Sequence, residues 1–241
     1  MKVNILRQET PDKEPYWESF LYDGPENNTV AGLIEHINYN DDIVNDKGEK
    51  TARIGWECSC IQGICGACAM VVNDKPVLAC EAFLKDLEGE EINIRPLSNF
   101  PVVHDLIVDR SGIHENLKQN DVFIGEYQPS GDKDHDQNYA SAKCLKCGLC
   151  IEVCPKYSDG RVFFGAPFAV DCYLVAERNR ERASEIAEIY QEHFKSGCAY
   201  DLACMKICPM EISITTAMKK LNALSGKMQR YTDGKEKERA K

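Results

Sequence analysis

The chain has 241 residues, which is enough for two ordinary domains with buried cores. Hydrophobic residues make up 43% of it and charged residues 28%, a globular profile, and no stretch approaches ~18 consecutive apolar residues, so we expect no transmembrane helix. The formal net charge of −10 argues against nucleic acid as a partner.

The first hundred residues predict a small unit of strands and one helix. Thr29 is typical of a residue that caps a helix, and apolar residues follow it at helical spacing. Asn73 and Asp74 lie between two apolar runs and predict a hairpin turn. The predicted strands cover residues 3–7, 17–22, 69–72, 77–79 and 91–95.

A boundary near residue 101 separates this unit from a helical remainder, which gives predicted domains of 1–101 and 102–241. In residues 218–241, eight Lys and Arg outnumber three acidic residues. This basic end is either a solvated tail or a contact with anionic lipid head groups or an acidic partner. The predicted helices cover residues 102–117, 144–154, 167–194 and 213–229, and residues 128–138 form a polar loop.

The chain has thirteen cysteines, most of them in three groups. No apolar signal core opens the sequence, so we expect a cytoplasmic, reducing environment, in which clustered cysteines bind metals rather than form disulfides. The first group is separated by four, two and eleven residues and consists of Cys60, Cys65, Cys68 and Cys80.

This first spacing is that of a plant-type [2Fe–2S] site. Gly63 and Gly66 let the loop wrap a small anionic core closely, so that backbone N–H groups point at the sulfides. A structural zinc site is the alternative, although zinc ligands usually come as two short Cys-x-x-Cys hooks.

The second group reads Cys-x2-Cys-x2-Cys-x3-Cys-Pro and consists of Cys144, Cys147, Cys150 and Cys154. This run is typical of bacterial ferredoxins, in which the first three cysteines bind one cluster and the fourth binds the other. A third group also ends in Cys-Pro, at Cys208. We therefore predict a [4Fe–4S] cluster held by Cys144, Cys147, Cys150 and Cys208.

The third predicted cluster takes its ligands from both groups, namely Cys154, Cys198 and Cys204. A complete ferredoxin run would have a further cysteine at position 201, where this chain has Asp201. Three thiolates favour a [3Fe–4S] cluster. Alternatively, Asp201 is an oxygen ligand of a [4Fe–4S] cluster, or its carboxylate only forms hydrogen bonds with solvent or the backbone.

Two cysteines fall outside this scheme. Cys58 is either a free thiol near the first cluster or, at a longer spacing, a substitute for Cys60, and Cys172 lies in an apolar stretch that predicts a core position. No acid–base or nucleophile pattern is visible, so we predict no catalytic residue. The histidines are scattered: His36, His104, His114, His135 and His193.

The three motifs, in this order, resemble the iron–sulfur subunit of the succinate dehydrogenase and fumarate reductase family. Residues 63–68 are similar to its first-cluster loop, residues 144–155 and 198–209 match its later motifs, and residues 14–17 resemble its N-terminal strand region. The resemblance implies an α+β fold. An N-terminal β-grasp [2Fe–2S] ferredoxin-like domain would precede an all-α ferredoxin-like domain with two cubane-type clusters.

The resemblance also implies partners. A flavoprotein subunit would hold FAD, where the dicarboxylate reacts, and a membrane anchor would bind quinone, often with haem b. Electrons would pass between FAD and quinone through the [2Fe–2S], [4Fe–4S] and [3Fe–4S] clusters. The chain would be the electron-transfer subunit of an enzyme of anaerobic respiration or the tricarboxylic acid cycle, peripheral on the cytoplasmic face of the cell membrane.

Two features bear on the quinone. Many succinate dehydrogenases have a ubiquinone-binding tryptophan after the second Cys-Pro, but residues 156–164 contain none, which favours menaquinone and, slightly, a fumarate reductase. Lys219 and Lys220 lie after the last Cys-Pro, where fumarate reductases place polar or basic residues near the quinone; a solvated helix face is the alternative. An iron–sulfur subunit of a related reductase with another substrate, or a freestanding electron carrier, are further alternatives.

Overall fold

The computed structural model describes residues 1–125 and 135–225. By its contacts the chain divides into two compact units: Met1–Arg110 with Leu145–Val153, and Ser111–Cys144 with the chain from Cys154 onward. The first contains a five-stranded sheet and the second is helical, which confirms the α+β prediction. The boundary at residue 101 stays a prediction. Most of the predicted loop at 128–138 and of the basic end lies outside the described residues.

The sheet of the first unit confirms the predicted strands. β1 pairs in parallel with β5 at the centre, the other neighbours are antiparallel, and the order is β2-β1-β5-β3-β4. The strands are β1 (Lys2–Arg7), β2 (Tyr16–Leu21), β3 (Ala69–Val72), β4 (Lys75–Leu78) and β5 (Glu91–Arg95).

Local sequence signals explain the helix and the hairpin of this unit. Helix α1 (Val30–Asn38) begins after Thr29, whose Oγ1 accepts a hydrogen bond from the Gly32 N–H at 3.1 Å, as predicted. Asn73 and Asp74 both have positive φ, 45° and 61°, which is the backbone geometry of the tight turn predicted between β3 and β4.

The helix predicted at 102–117 is wrong over its first half. Residues there form a short hairpin of β6 (Val102–His104) and β7 (Ile107–Val108), and helix α2 begins only at Ser111, ending at Gln119. The turn residue Asp105 has a φ of 48°, outside helical geometry.

Long-range contacts of Asp105 hold this hairpin in place. Its Oδ2 lies 3.0 Å from Arg7 Nε, and its two oxygens accept hydrogen bonds from the backbone N–H groups of Gln8 and Gly55. Arg7 is buried in the sheet and also pairs with Glu18 at 2.7 Å. This buried network overrides the amphipathic spacing, because satisfying buried charges is worth more than local helix propensity.

The long helix predicted at 167–194 is also wrong, because the structure has two helices there. Helix α5 (Gly165–Arg178) stops at Asn179, whose side-chain oxygen accepts a hydrogen bond from the Arg182 N–H at 3.3 Å. Helix α6 (Ala183–Tyr190) follows and continues as a π-helical turn, Gln191–Lys195. Asparagine competes for backbone hydrogen bonds in this way and breaks helices without any glycine or proline.

Three further α-helices are short, namely α3 (His135–Ala142), α4 (Leu149–Glu152, in the first unit) and α7 (Ala203–Lys206). A last helix, α8, covers residues 214–225 of the described chain. The core of the second unit packs α5, α6 and α8 together, with Cys172 fully buried in it as predicted. Within the described residues, no helix has the length and apolar character needed to cross a membrane.

Candidate iron–sulfur sites

The four cysteines predicted for the [2Fe–2S] cluster lie in the first unit. Cys68 immediately precedes β3 and Cys80 follows β4, so the hairpin brings the two thiols together, with their Sγ atoms 3.4 Å apart. Both side chains are buried. Cys60 and Cys65 come from the preceding loop, are less buried, and lie within hydrogen-bonding reach of each other. The β3–β4 hairpin and the loop thus supply two pairs of thiols.

Backbone N–H groups point at these sulfur atoms. Gln62 donates to Cys60 Sγ at 3.3 Å, and Gly63 donates to Cys80 Sγ at 3.2 Å. The loop can turn its N–H groups inward because Ile61 and Gly63 have positive φ, 53° and 71°. Donors that converge on thiol sulfur stabilise negative charge, so this loop fits an anionic iron–sulfur core.

The surroundings of the thiols differ in their effect on ionisation. The Gln62 N–H lowers the pKa of Cys60 to about 7, whereas burial raises the pKa of Cys80 to about 12. Cys58 is exposed, yet desolvation and then the charge of Glu35 raise the pKa of its thiol. Cys60 also has a backbone N–H donor at its sulfur, which is the contact that stabilises a thiolate ligand.

The cysteines of the ferredoxin-type run are divided between the two units. Cys147 is buried just before α4 and Cys150 lies in α4, both in the first unit, whereas Cys144 and Cys208 pack on the apolar core of the second. The common [4Fe–4S] site predicted for these four residues stays a prediction.

The thiols predicted for the third cluster lie together in the second unit. Burial raises the pKa of Cys204 to about 11, and the nearby thiols of Cys154 and Cys198 raise it further. Burial also raises the pKa of the Cys198 thiol, and the Tyr200 N–H lowers that pKa in part. The Met205 N–H likewise lowers the pKa of Cys204 in part. Backbone N–H groups near thiol sulfur stabilise negative charge, which would fit an anionic iron–sulfur core held by these predicted ligands.

Asp201 lies in the same loop, between Cys198 and Cys204. Its Oδ1 accepts a hydrogen bond from the Ala203 N–H at 3.1 Å, at the start of α7, and the side chain is exposed. A carboxylate in this position stabilises the first turn of a helix. The structure thus contains a backbone hydrogen bond of the kind expected in one of the two alternatives for Asp201.

The two lysines predicted near the quinone have different surroundings on α8. Lys219 is exposed. Lys220 Nζ lies 3.7 Å from a Glu177 carboxylate oxygen, 3.5 Å from the Tyr173 hydroxyl and 5.3 Å from the centre of the Tyr173 ring. Lys220 is therefore packed against α5, and Lys219 is the more accessible of the two.

Sequence reasoning missed two residues that hold these loops, Arg110 and Glu152. Arg110 donates hydrogen bonds to carbonyl groups of the first cysteine loop, and Glu152 fixes α4 to the end of β5. Arg110 lies outside the cysteine motifs, and Glu152 occupies a position between Cys150 and Cys154 at which the motif specifies no residue type, so spacing gave no reason to single out either one. Among the described residues, no group of three or more His, Cys, Asp or Glu side chains lies close enough together to hold a single metal ion, so the three-thiol and four-thiol ligand sets stay predictions.

Comparisons with known proteins indicate an iron–sulfur protein. Residues 2–115 match the family model of a 2Fe-2S iron-sulfur cluster binding domain. The chain is 36% identical to the succinate dehydrogenase iron-sulfur subunit of Bacillus subtilis, over 90% of this chain and 89% of that protein. It is 30% identical to the fumarate reductase iron-sulfur subunit of Haemophilus influenzae, over 90% of each.

Among solved structures, a chain of the Mycobacterium smegmatis Sdh1 complex in the apo form has a similar fold. The TM-score is 0.71 at 21% sequence identity, and the match covers 93% of this chain and 96% of that one. At this identity the likeness concerns the fold, and it agrees with the α+β arrangement described above.

Proposed function

Because the chain belongs to the family of succinate dehydrogenase and fumarate reductase iron–sulfur subunits, we propose that it carries electrons between FAD and quinone. The FAD would lie in a flavoprotein subunit and the quinone at a membrane anchor. The chain itself is an electron-transfer subunit of an oxidoreductase complex of this family. The dicarboxylate chemistry would take place in the flavoprotein.

The observation that carries this proposal is the first thiol site, in which backbone N–H groups donate to the sulfur atoms of Cys60 and Cys80. Bound iron–sulfur clusters supply one-electron carriers with reduction potentials between about −700 and +450 mV, set by charge, hydrogen bonds and exposure. The protein's residues supply the thiolates, hold N–H donors against the sulfur atoms and bury part of the site. The [2Fe–2S] ligands are Cys60, Cys65, Cys68 and Cys80.

The proposed ligands of the other two clusters follow the cysteine spacing. Cys144, Cys147, Cys150 and Cys208 would hold a [4Fe–4S] cluster. Cys154, Cys198 and Cys204 would hold a [3Fe–4S] cluster, which is supported by the Asp201 side chain, since its Oδ1 is engaged with the Ala203 N–H.

The first site has a surface suited to the flavoprotein. Ile61 and Ile64 lie in the loop of this site and are 55% and 60% exposed, so two apolar side chains face solvent beside the thiols. An apolar rim beside a cluster lets a partner exclude water from the route of the electron. We propose that this rim contacts the FAD-containing subunit.

The opposite end of the route would be a quinone, with menaquinone favoured by the lack of tryptophan in residues 156–164. Menaquinone in turn favours fumarate reduction. The complex would be peripheral on the cytoplasmic face of the membrane, through an anchor that also carries haem b, and the exposed Lys219 is the better placed of the two lysines to approach the quinone.

The test is purification of the full chain through an affinity tag from its native host. The expected result is a flavoprotein and a membrane anchor in the same complex, with quinone-linked turnover of succinate or fumarate. A soluble, monomeric chain that carries clusters but no flavoprotein would instead support a freestanding carrier.

A further inference from the structure

The loop of the first cysteine site contacts the loop that carries Cys147. A Cβ atom placed on Gly66 would lie 2.8 Å from Cys147 Cβ and 3.0 Å from Leu145 Cβ, closer than real Cβ atoms approach. Gly66 also has a φ of 79°, which favours glycine. Gly66 directly follows Cys65, so the loop that carries a proposed ligand of the first cluster packs closely against Cys147, a proposed ligand of the second.

Arg110 connects the same two loops. Its Nη1 donates to the carbonyl oxygens of Gly66 at 3.0 Å and Cys147 at 3.4 Å, and its Nη2 donates to the carbonyl oxygen of Ala67 at 3.2 Å. Nη2 also pairs with the Glu57 carboxylate. A planar guanidinium with five N–H donors can make these contacts at once, and a lysine ammonium on a flexible stem cannot reproduce them.

The two side chains of the Arg110–Glu57 ion pair differ in exposure, so solvent screens their charges to different extents. Arg110 is 15% exposed, so its charge is only weakly screened by solvent, whereas Glu57 is 43% exposed. The guanidinium stays charged at any physiological pH. A cluster becomes more negative on reduction, so a cation beside it stabilises the reduced form and an anion stabilises the oxidised form.

We propose that Arg110 is a positioning residue for electron transfer between the first two clusters. Its three carbonyl contacts fix the spacing of the loops that follow Cys65 and precede α4. Its charge, partly offset by Glu57, raises the reduction potential of the [2Fe–2S] cluster. This role rests on the proposed function, since it requires clusters at both loops.

Three variants separate charge from spacing. Arg110→Gln removes the positive charge and the paired N–H donors of the guanidinium, and it leaves the Glu57 carboxylate without its cation. The [2Fe–2S] midpoint potential should therefore fall. Glu57→Gln keeps the carbonyl contacts of Arg110 and removes the opposing charge, so the midpoint should rise. Arg110→Lys keeps the charge and loses the paired N–H donors of the guanidinium. The midpoint potential should therefore change little, while the two cysteine loops are held less closely together. A residue that only stabilises the fold would not give potential shifts of opposite sign.

The experiment is a redox titration of the intact complex, followed by electron paramagnetic resonance. The midpoint of the [2Fe–2S] signal reports charge, and the broadening of that signal when the second cluster becomes paramagnetic reports spacing. Broadening should weaken in Arg110→Lys and Arg110→Gln and stay at the wild-type level in Glu57→Gln. Matched controls are Lys50→Gln and Asp42→Asn, an exposed pair 2.7 Å apart in the same unit, which should alter neither property.

Some outcomes would overturn the role of Arg110. Shifts of the same sign in Arg110→Gln and Glu57→Gln would exclude an electrostatic role, and unchanged broadening in Arg110→Lys would exclude a role in spacing. If Arg110→Gln does not fold, the midpoint potential of Glu57→Gln still tests the electrostatic role, and the broadening in Arg110→Lys still tests the role in spacing. A wild-type complex without a [2Fe–2S] signal would instead overturn the proposed function.

Discussion

Arg95, at the end of β5, and Glu152, in α4, form an ion pair with Arg95 Nη1 and Glu152 Oε1 2.9 Å apart. The Glu152 side chain is 4% exposed and also accepts hydrogen bonds from the Ser98 N–H at 2.7 Å, the Ser98 hydroxyl at 2.9 Å and the Asn99 N–H at 3.3 Å. One buried carboxylate thus holds the short helix that carries Cys150 against the end of the sheet. This contact explains why residues 145–153 belong to the first unit.

Replacing Glu152 should destabilise the protein strongly. Glu152→Ala removes the acceptor of the Ser98 N–H, the Ser98 hydroxyl and the Asn99 N–H, and it removes the ion-pair partner of Arg95, which should together cost about 2 kcal/mol. Thermal unfolding of the full chain, followed by circular dichroism, measures the change. Glu188→Ala is the control, because Glu188 is exposed on α6 and its loss should stay within about 0.5 kcal/mol. Equal midpoints for the two variants would contradict this role of Glu152.

Gly66 is a second position where a small change should have a large effect. Gly66→Ala places a methyl group 2.8 Å from Cys147 Cβ at a residue whose φ is 79°, so the loop must shift and the [2Fe–2S] signal should weaken. The matched control is Gly112→Ala, because Gly112 lies in α2 with open space around it. There alanine should stabilise the helix by about 0.5–1 kcal/mol. Normal [2Fe–2S] content in Gly66→Ala would show that the loop tolerates the change.

Cys204 should be required for the third cluster and dispensable for the first, because the two sites lie in different units. Cys204→Ser should abolish the three-iron signal and quinone-linked turnover while the [2Fe–2S] signal remains. Two cysteine variants serve as controls. Cys58→Ser should keep all clusters, and Cys172→Ala should keep them with reduced thermal stability, because Cys172 is fully buried in the core. Normal quinone-linked turnover in Cys204→Ser would contradict the assignment.

Alanine variants of the two neighbouring lysines should differ in their effects, with Lys220 contributing to stability and Lys219 to turnover with quinone. Lys220→Ala loses the contacts with Glu177 and Tyr173 and should reduce stability by about 1 kcal/mol. Lys219→Ala should leave stability unchanged. If Lys219 lies near the quinone, its loss lowers turnover with quinone but not with a dye that accepts electrons directly from the complex. Equal loss with both acceptors would place Lys219 away from the quinone.

Local signals were sufficient for the strands, the capped helix and the tight turn of the first unit. The hydroxyl of Thr29 and the turn-forming residues Asn73 and Asp74 act over a few neighbouring residues, so the sequence contains what they need. The same holds for the cysteine loops, whose spacing is local. The predicted hairpin does bring Cys68 and Cys80 together, whereas the complete ligand sets of the clusters stay predictions.

Long-range contacts decided the parts that sequence reasoning missed. Residues 102–108 have helical apolar spacing, but Asp105 is recruited by Arg7 from the other end of the unit. Arg110 and Glu152 look like ordinary surface charges in the sequence, and only the fold brings them to backbone carbonyl and N–H groups of distant segments. No spacing rule contains that information.

The most direct test of the three-cluster assignment is electron paramagnetic resonance of the purified complex, as oxidised and after reduction with dithionite. The account predicts a nearly isotropic three-iron signal in the oxidised sample and a rhombic [2Fe–2S] signal on reduction. An oxidised sample without the three-iron signal would contradict it, because the third site would then hold a cube with Asp201 as the suspected fourth ligand, and the assignment of a quinone-facing [3Fe–4S] end would fail.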